Sequence, residues 1–172
     1  TSRGGRADIL ISLGRIAWEK NLDLVLQGFI ILLKDCPDVK MVIAGEGPAR
    51  KHYIESVREM GMADRILFPG FVKDEELAQY YAACDAFTLA SKFETQGLVV
   101  LEAMAAGKPV SAINYRALKE IVSDGHNGYL FQDDASSWAE ATQKALSAPE
   151  GVRKAARLTA APPEGFSEFP IS

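Results

Sequence analysis

The sequence predicts an α/β fold, a doubly wound parallel sheet of about six strands with flanking helices. Three observations carry this reading. Short apolar runs alternate with helix-patterned stretches along most of the 172 residues. The connections are short and rich in Gly, Pro, Asn and Asp. The runs lack the polar alternation of a half-exposed strand, as expected where helices cover both faces.

Asp8 to Leu13 (DILISL) is a buried strand ending at Gly14, and Arg15 to Asn21 is a loop. Asn21 is placed to cap a helix with Leu22, Val25, Leu26, Phe29 and Leu33 at helical spacing, closed by Pro37. Lys40 to Ala44 is the second strand. Gly45-Glu46-Gly47-Pro48 is a turn, with Pro48 as the first residue of a helix running to about Met60. Arg65 to Phe68 is the third strand. Asp74 caps a helix to about Ala83, and Asp85 to Ala90 is the fourth strand. A loop carrying Glu94 and Gly97 then enters an apolar helix, which Gly107 and Pro109 end. Leu98, Val99, Leu101, Met104, Ala105 and Ala106 leave it no polar stripe, so it is expected to be covered on most sides. Pro109 to Ile113 is the fifth strand, Leu118 to Val122 a short helix, and Gly128 to Phe131 the sixth strand. Ser137 caps a helix through Leu146, and a last helical stretch spans Val152 to Leu158. One Rossmann-like domain over 8–160 follows, with flexible ends at 1–7 and 161–172.

Composition removes several functions. Charged residues make up 24% of the chain and the net charge is −4, so a general nucleic-acid footprint is not expected. No apolar run reaches membrane-spanning length. Cys36 and Cys84 read as reduced and cytoplasmic rather than as a disulfide framework. His52 and His126 stand apart from other ligand types, so no metal site is expected.

Ligands on such sheets bind beyond the C-terminal ends of the strands. Arg15, Lys20, Gly45, Glu46, Phe71, Val72, Glu94 and Gly97 all fall there. Arg15 and Lys20 could be solvated surface cations, but this edge favours a diphosphate cradle, an Arg forking two oxygens and a Lys adding a point charge. The free amides near Gly97 and Leu98, at a helix N-terminus, would add to it, and Gly97 would admit a ligand close to the backbone. Glu102 is the anomaly. A lone carboxylate among apolar neighbours needs a partner. Ribose hydroxyls would serve, and so would an internal partner such as Arg15 or Lys20. The ordinary reading of Phe71 is core packing, because aromatics usually bury.

The glycines exclude two common sites. Gly45-Glu46-Gly47 is followed by Arg50 where the dinucleotide fingerprint wants Gly or Ala, and it follows the second strand. Gly107-Lys108 ends like a phosphate-binding loop, but Glu102 stands where that motif needs Gly and Pro109 where it needs Ser or Thr.

The pieces together resemble the C-terminal, nucleotide-sugar-binding domain of retaining glycosyltransferases of family 4, which have the two-domain GT-B fold. The resemblance rests on Gly14-Arg15 with Lys20, Gly45-Glu46-Gly47-Pro48, Pro69-Gly70-Phe71-Val72, and Glu94-x7-Glu102 within Leu101-Glu102-Ala103-Met104-Ala105. Glu120-Ile121-Val122, Gly125 and Gly128 also match, so it covers roughly residues 9–147. It implies that Arg15 and Lys20 bind the donor diphosphate and stabilise its growing charge. It places Glu102 on the ribose hydroxyls and Glu94 against the donor sugar. It puts the amides of Gly97, Leu98 and Val99 on sugar or phosphate, Phe71 and Val72 beside the base, and Gly45 and Glu46 at the donor pocket. It implies no metal and no cofactor beyond the nucleotide sugar. The chain departs from the pattern at Thr95-Gln96 and at Tyr115, Arg116 and Ala117.

The resemblance also implies an N-terminal acceptor domain that this chain has no room for. The isolated domain is therefore expected to be inactive alone. The whole enzyme would be cytoplasmic, peripheral to the membrane if its acceptor is a lipid. A non-catalytic nucleotide or sugar-phosphate binding module and a GT-B-like sugar-nucleotide epimerase are the alternatives. Glu94 discriminates among them, because a binding module would not need it. Its replacement by Gln is expected to leave nucleotide affinity nearly intact and to remove activity.

Overall fold

A computed structural model describes residues 7–94 and 97–161. The ends at 1–6 and 162–172 and the Thr95-Gln96 departure lie outside the described residues. The strands are β1 (Ile9–Leu13), β2 (Lys40–Ala44), β3 (Ile66–Leu67), β4 (Ala86–Leu89), β5 (Val110–Ile113) and β6 (Tyr129–Phe131). They form one sheet in the order β3-β2-β1-β4-β5-β6. Every pair is parallel, with Leu10 beside both Met41 and Ala86 and with Phe87 beside Val110. The doubly wound sheet read from the sequence is the fold of this chain.

The central strands explain the unbroken apolar runs. All four residues of β4 and of β5 are buried. Their two polar members satisfy each other. Ser111 Oγ donates to Thr88 Oγ1 at 2.8 Å, and Trp138 Nε1 donates to the same oxygen at 2.9 Å. Trp138 lies on α6 (Ala135–Leu146), so this buried bond ties α6 to β4. On the same side α6 meets α1 (Leu22–Asp35) at Gly28, where a Cβ would lie 2.4 Å from the Trp138 ring. The remaining helices are α2 (Arg50–Glu59), α3 (Asp74–Ala83), α4 (Leu98–Ala105), α5 (Arg116–Ile121) and α7 (Glu150–Ala160).

The helix starts differ from the sequence reading. Asn21 occupies the N-cap position of α1 in left-handed backbone (φ 63°), yet its side chain makes no cap bond. Asp134, not Ser137, caps α6, its carboxylate accepting from the Ser137 amide at 2.7 Å. Asp74 is already helical, and Lys73 precedes α3 with its amide donating to Glu76 Oε1 at 3.1 Å. Pro48 lies in the turn before α2 rather than in its first helical position. Trp18–Lys20 forms a single 3-10 turn inside the expected loop. β3 is only two residues long, because it is the edge strand and Leu67 is half exposed there.

Candidate functional site

The order of the strands fixes where a site can form. From β1 the chain winds outward to β2 and β3, and from β4 to β5 and β6. The loops leaving the C-terminal ends of β1 and β4 therefore diverge and open a crevice between them. A cleft of about 350 Å³ opens at this edge of the sheet, within the size range of small-molecule sites.

Seven of the predicted site residues line the cleft. Arg15 comes from the loop after β1, Gly45 and Glu46 from the loop after β2, Phe71 and Val72 from the loop before α3, and Val99 and Glu102 from α4. Three loops meet closely here. The Gly45 amide donates to the Gly70 carbonyl at 2.8 Å, and the Gly14 amide donates to the Ala44 carbonyl at 3.1 Å. Gly45 has φ +135°, and a Cβ there would lie 1.9 Å from the Gly14 carbonyl oxygen. Only glycine allows this approach. Phe71 is 72% exposed, which removes the core-packing alternative for it.

Arg15 brings an exposed cation to the cleft. Its side chain is 62% exposed and, among the described residues, pairs with Glu19 at 3.6 Å. Such a surface pair holds its members weakly. Glu46 stands 3.4 Å from the Arg50 guanidinium, which also donates to the Phe68 carbonyl at 2.8 Å. That bridge braces the loops on either side of the cleft mouth.

Lys20 and Glu94 do not line the cleft but stand together beside it. Lys20 Nζ donates to Glu94 Oε1 at 3.2 Å, with the two side chains 25% and 21% exposed. Lys20 borders a small void that shares Leu13, Gly14, Arg15 and Ala44 with the cleft wall. The Asn21 amide closes the same seam. It donates to the Ala90 carbonyl at 3.2 Å and to Asp133 Oδ1 at 3.0 Å, and Asp133 also pairs with Lys92. The loop after β1 is thus bound to the loop after β4 beside the cleft.

Glu102 has an internal partner, and it is neither Arg15 nor Lys20. Tyr81, on α3, donates its hydroxyl to Glu102 Oε2 at 3.2 Å. Burial raises the Glu102 carboxyl above the usual range, the Tyr81 hydrogen bond pulls it back, and Asp74 adds a smaller upward push. Burial, then Glu102, holds the Tyr81 hydroxyl far above its ordinary value.

Helix α4 is less covered than its composition suggests. Val100, Ala103 and Met104 are buried, but Leu98 is 57% exposed and Glu102 is only part-buried. The polar edge that the sequence hid is the side turned to the cleft. Gly97 precedes α4 in left-handed backbone, φ +64°, and a Cβ there would lie 2.6 Å from Ile121 Cδ1. The glycine thus clears a side chain of α5. Gly97 and Leu98 are not cleft-lining residues, and their amides stand at the N-terminus of α4.

Sequence reasoning missed Tyr81, Leu77 and Asn21. Tyr81 and Leu77 line the cleft from α3, which the sequence marked only as a helix after Asp74. The one available signal for Tyr81 was the missing partner of Glu102.

A family model described as "Glycosyl transferases group 1" matches residues 3–161. The chain is 41% identical over 122 residues to the alpha-monoglucosyldiacylglycerol synthase of Streptococcus pneumoniae, covering 71% of this chain and 28% of that protein. The pneumococcal O-GlcNAc transferase GtfA, crystallised with UDP and GlcNAc, superposes with a TM-score of 0.80 at 24% identity, over 88% of this chain and 32% of that one. At that identity the likeness speaks for the fold alone. HepE of Anabaena, crystallised with UDP and glucose, superposes with a TM-score of 0.73 at 26% identity, over 90% of this chain and 43% of that one. The chain spans less than half the length of each of these relatives.

Proposed function

The chain belongs to the group 1 glycosyl transferases, and from that premise we propose that it is the donor-binding domain of a retaining family 4 enzyme with the GT-B fold. The observation that carries this is the convergence of Arg15, Glu46, Phe71, Val99 and Glu102 on one cleft at the divergence of β1 and β4, with Lys20 and Glu94 beside it. A nucleoside-diphosphate sugar suits that arrangement. Its base lies against Phe71 and Val72, its ribose against Glu102, and its diphosphate between Arg15, Lys20 and the amides at the start of α4.

In the transfer, the bond between the anomeric carbon and the diphosphate oxygen breaks, and the electron pair stays on the oxygen. Arg15 and Lys20 stabilise that developing charge, and no metal is required. The acceptor oxygen bonds to the anomeric carbon, and its proton passes to the departing diphosphate. Glu94 positions the sugar and opposes the positive charge that grows on its ring. Reading HepE's glucose and UDP onto this chain makes a UDP-hexose the first donor to try. Residues 7–161 alone bind the nucleotide without transferring sugar, since the acceptor is held elsewhere in the whole protein. The whole enzyme works in the cytoplasm, and no helix among the described residues is long and apolar enough to cross a membrane.

The test uses a protein that carries this domain together with the rest of its enzyme. Glu94→Gln should abolish turnover, and proton NMR of the wild-type product should show the donor's own anomeric configuration. An inverted product, or substantial turnover by the variant, would count against the reading.

A further inference from the structure

Glu102 alone would be a poor ribose acceptor. Its side chain has three rotatable bonds and reaches toward an open cleft, so an unrestrained carboxylate would sample many positions. Tyr81 removes that freedom. Its ring is 3% exposed and lies against Phe87 of β4, with centroids 6.0 Å apart at 42°. The phenol oxygen is therefore set by the core, and both Tyr81 and Glu102 face the same cleft.

The geometry also apportions the oxygens. The Tyr81 hydroxyl has two acceptors in reach, Glu102 Oε2 at 3.2 Å and the Val99 carbonyl at 3.4 Å, and the charged carboxylate is the stronger of the two. Among the described residues Glu102 Oε1 has no hydrogen-bond partner. A guanidinium in place of the phenol would take both oxygens and neutralise the charge. A tyrosine hydroxyl brings one donor, occupies one oxygen and leaves the other charged and free.

We infer that Tyr81 is the positioning residue that aims Glu102 at the ribose, so that the 2′- and 3′-hydroxyls are read by the one carboxylate oxygen Tyr81 leaves open. Preference for ribose over deoxyribose thus depends on a residue of α3 that need not touch the ligand. The inference rests on the reading of the cleft as a nucleoside-diphosphate site.

Tyr81→Phe keeps the ring and deletes only the hydroxyl, so the fold is retained and the melting temperature falls only by the loss of one hydrogen bond. The experiment is calorimetric titration of wild type, Tyr81→Phe and Glu102→Ala. The ligands are the tightest binder among UDP, GDP and ADP, and its 2′-deoxy counterpart. Wild type should prefer the ribonucleotide about tenfold or more, and Glu102→Ala should lose that preference. Tyr81→Phe should weaken the deoxynucleotide, which keeps its 3′-hydroxyl, less than it weakens the ribonucleotide, and so lose at least about fivefold in its preference for ribose. A residue that only packs would weaken both ligands equally. If Tyr81→Phe keeps the full preference while Glu102→Ala loses it, the inference about Tyr81 fails and the ribose reading stands. If wild type shows no preference, or binds none of the three diphosphates, the ribose reading fails and takes the inference with it.

Discussion

Replacing Glu94 by Gln should tighten nucleoside-diphosphate binding while it removes transfer. The sequence alone suggests that affinity would be nearly intact, and the structure changes that expectation. Glu94 holds Lys20 at 3.2 Å, and on the proposed reading that cation is one of the two a diphosphate recruits. Two unit charges at this separation attract by roughly 5 kcal/mol at an effective dielectric of about 20, and by about 1.3 kcal/mol in bulk water. The side chains are about three-quarters buried, so much of the larger figure is offset by desolvation. A net competition of about 1 kcal/mol is a reasonable expectation, which is roughly a fivefold change in affinity. Titrating UDP into wild type, Glu94→Gln and Lys20→Ala measures it. The Gln variant should bind about fivefold tighter, the Ala variant weaker, and the gain should vanish when both changes are combined. It should also shrink as salt rises, because the pair is partly in water. Unchanged or weaker binding by Glu94→Gln would refute the idea that this ion pair guards the diphosphate site.

Three further outcomes follow from the geometry. Gly45→Ala should destabilise the domain by at least about 2 kcal/mol in chemical denaturation, since its Cβ would strike the Gly14 carbonyl and its φ is +135°. Asn21→Gly should lose about 0.5–1.5 kcal/mol with the bonds to Ala90 and Asp133, and Asn21→Ala about 1–2 kcal/mol more, because a φ of 63° is open to Gly and tolerated by Asn but strains Ala. Equal losses for the two variants would refute the strain argument. Glu102→Gln should raise the melting temperature at neutral pH and weaken nucleotide binding. The Glu102 pKa is raised in the fold, chiefly by burial. As pH climbs from the usual carboxylate value through the raised one, the unfolded chain gives up its proton first and native stability falls. The advantage of Gln should therefore disappear in acid, below the usual carboxylate pKa, and a pH-independent difference would contradict the sign.

The strands were legible because both faces of β4 and β5 are covered, which leaves a hydrophobic signature that needs no tertiary knowledge. The site was legible in outline because a doubly wound sheet sends every β-strand's outgoing loop to one edge. Pairings across that edge were not. Lys20 meets Glu94 across 74 residues, and Tyr81 meets Glu102 from a different helix. No local periodicity encodes either contact. The helix caps went astray for a related reason: Asn21 has the chemistry of a cap, but its amide is drawn into the seam with Ala90 and Asp133. The openness of α4 was hidden because its cleft-facing side is lined by Val99 as well as Glu102, and a ligand can lie against apolar atoms.

The central claim is that the cleft between the diverging strands receives a nucleoside diphosphate. The most direct measurement is a calorimetric titration with UDP, GDP and ADP in turn, without added metal, on wild type and Arg15→Ala. Charge-assisted hydrogen bonds contribute about 1.5–3 kcal/mol, so losing the Arg15 guanidinium should weaken binding about tenfold or more. One of the three should saturate the wild type and bind Arg15→Ala at least that much more weakly. Binding that is indifferent to Arg15, or no binding of any of the three, would contradict it.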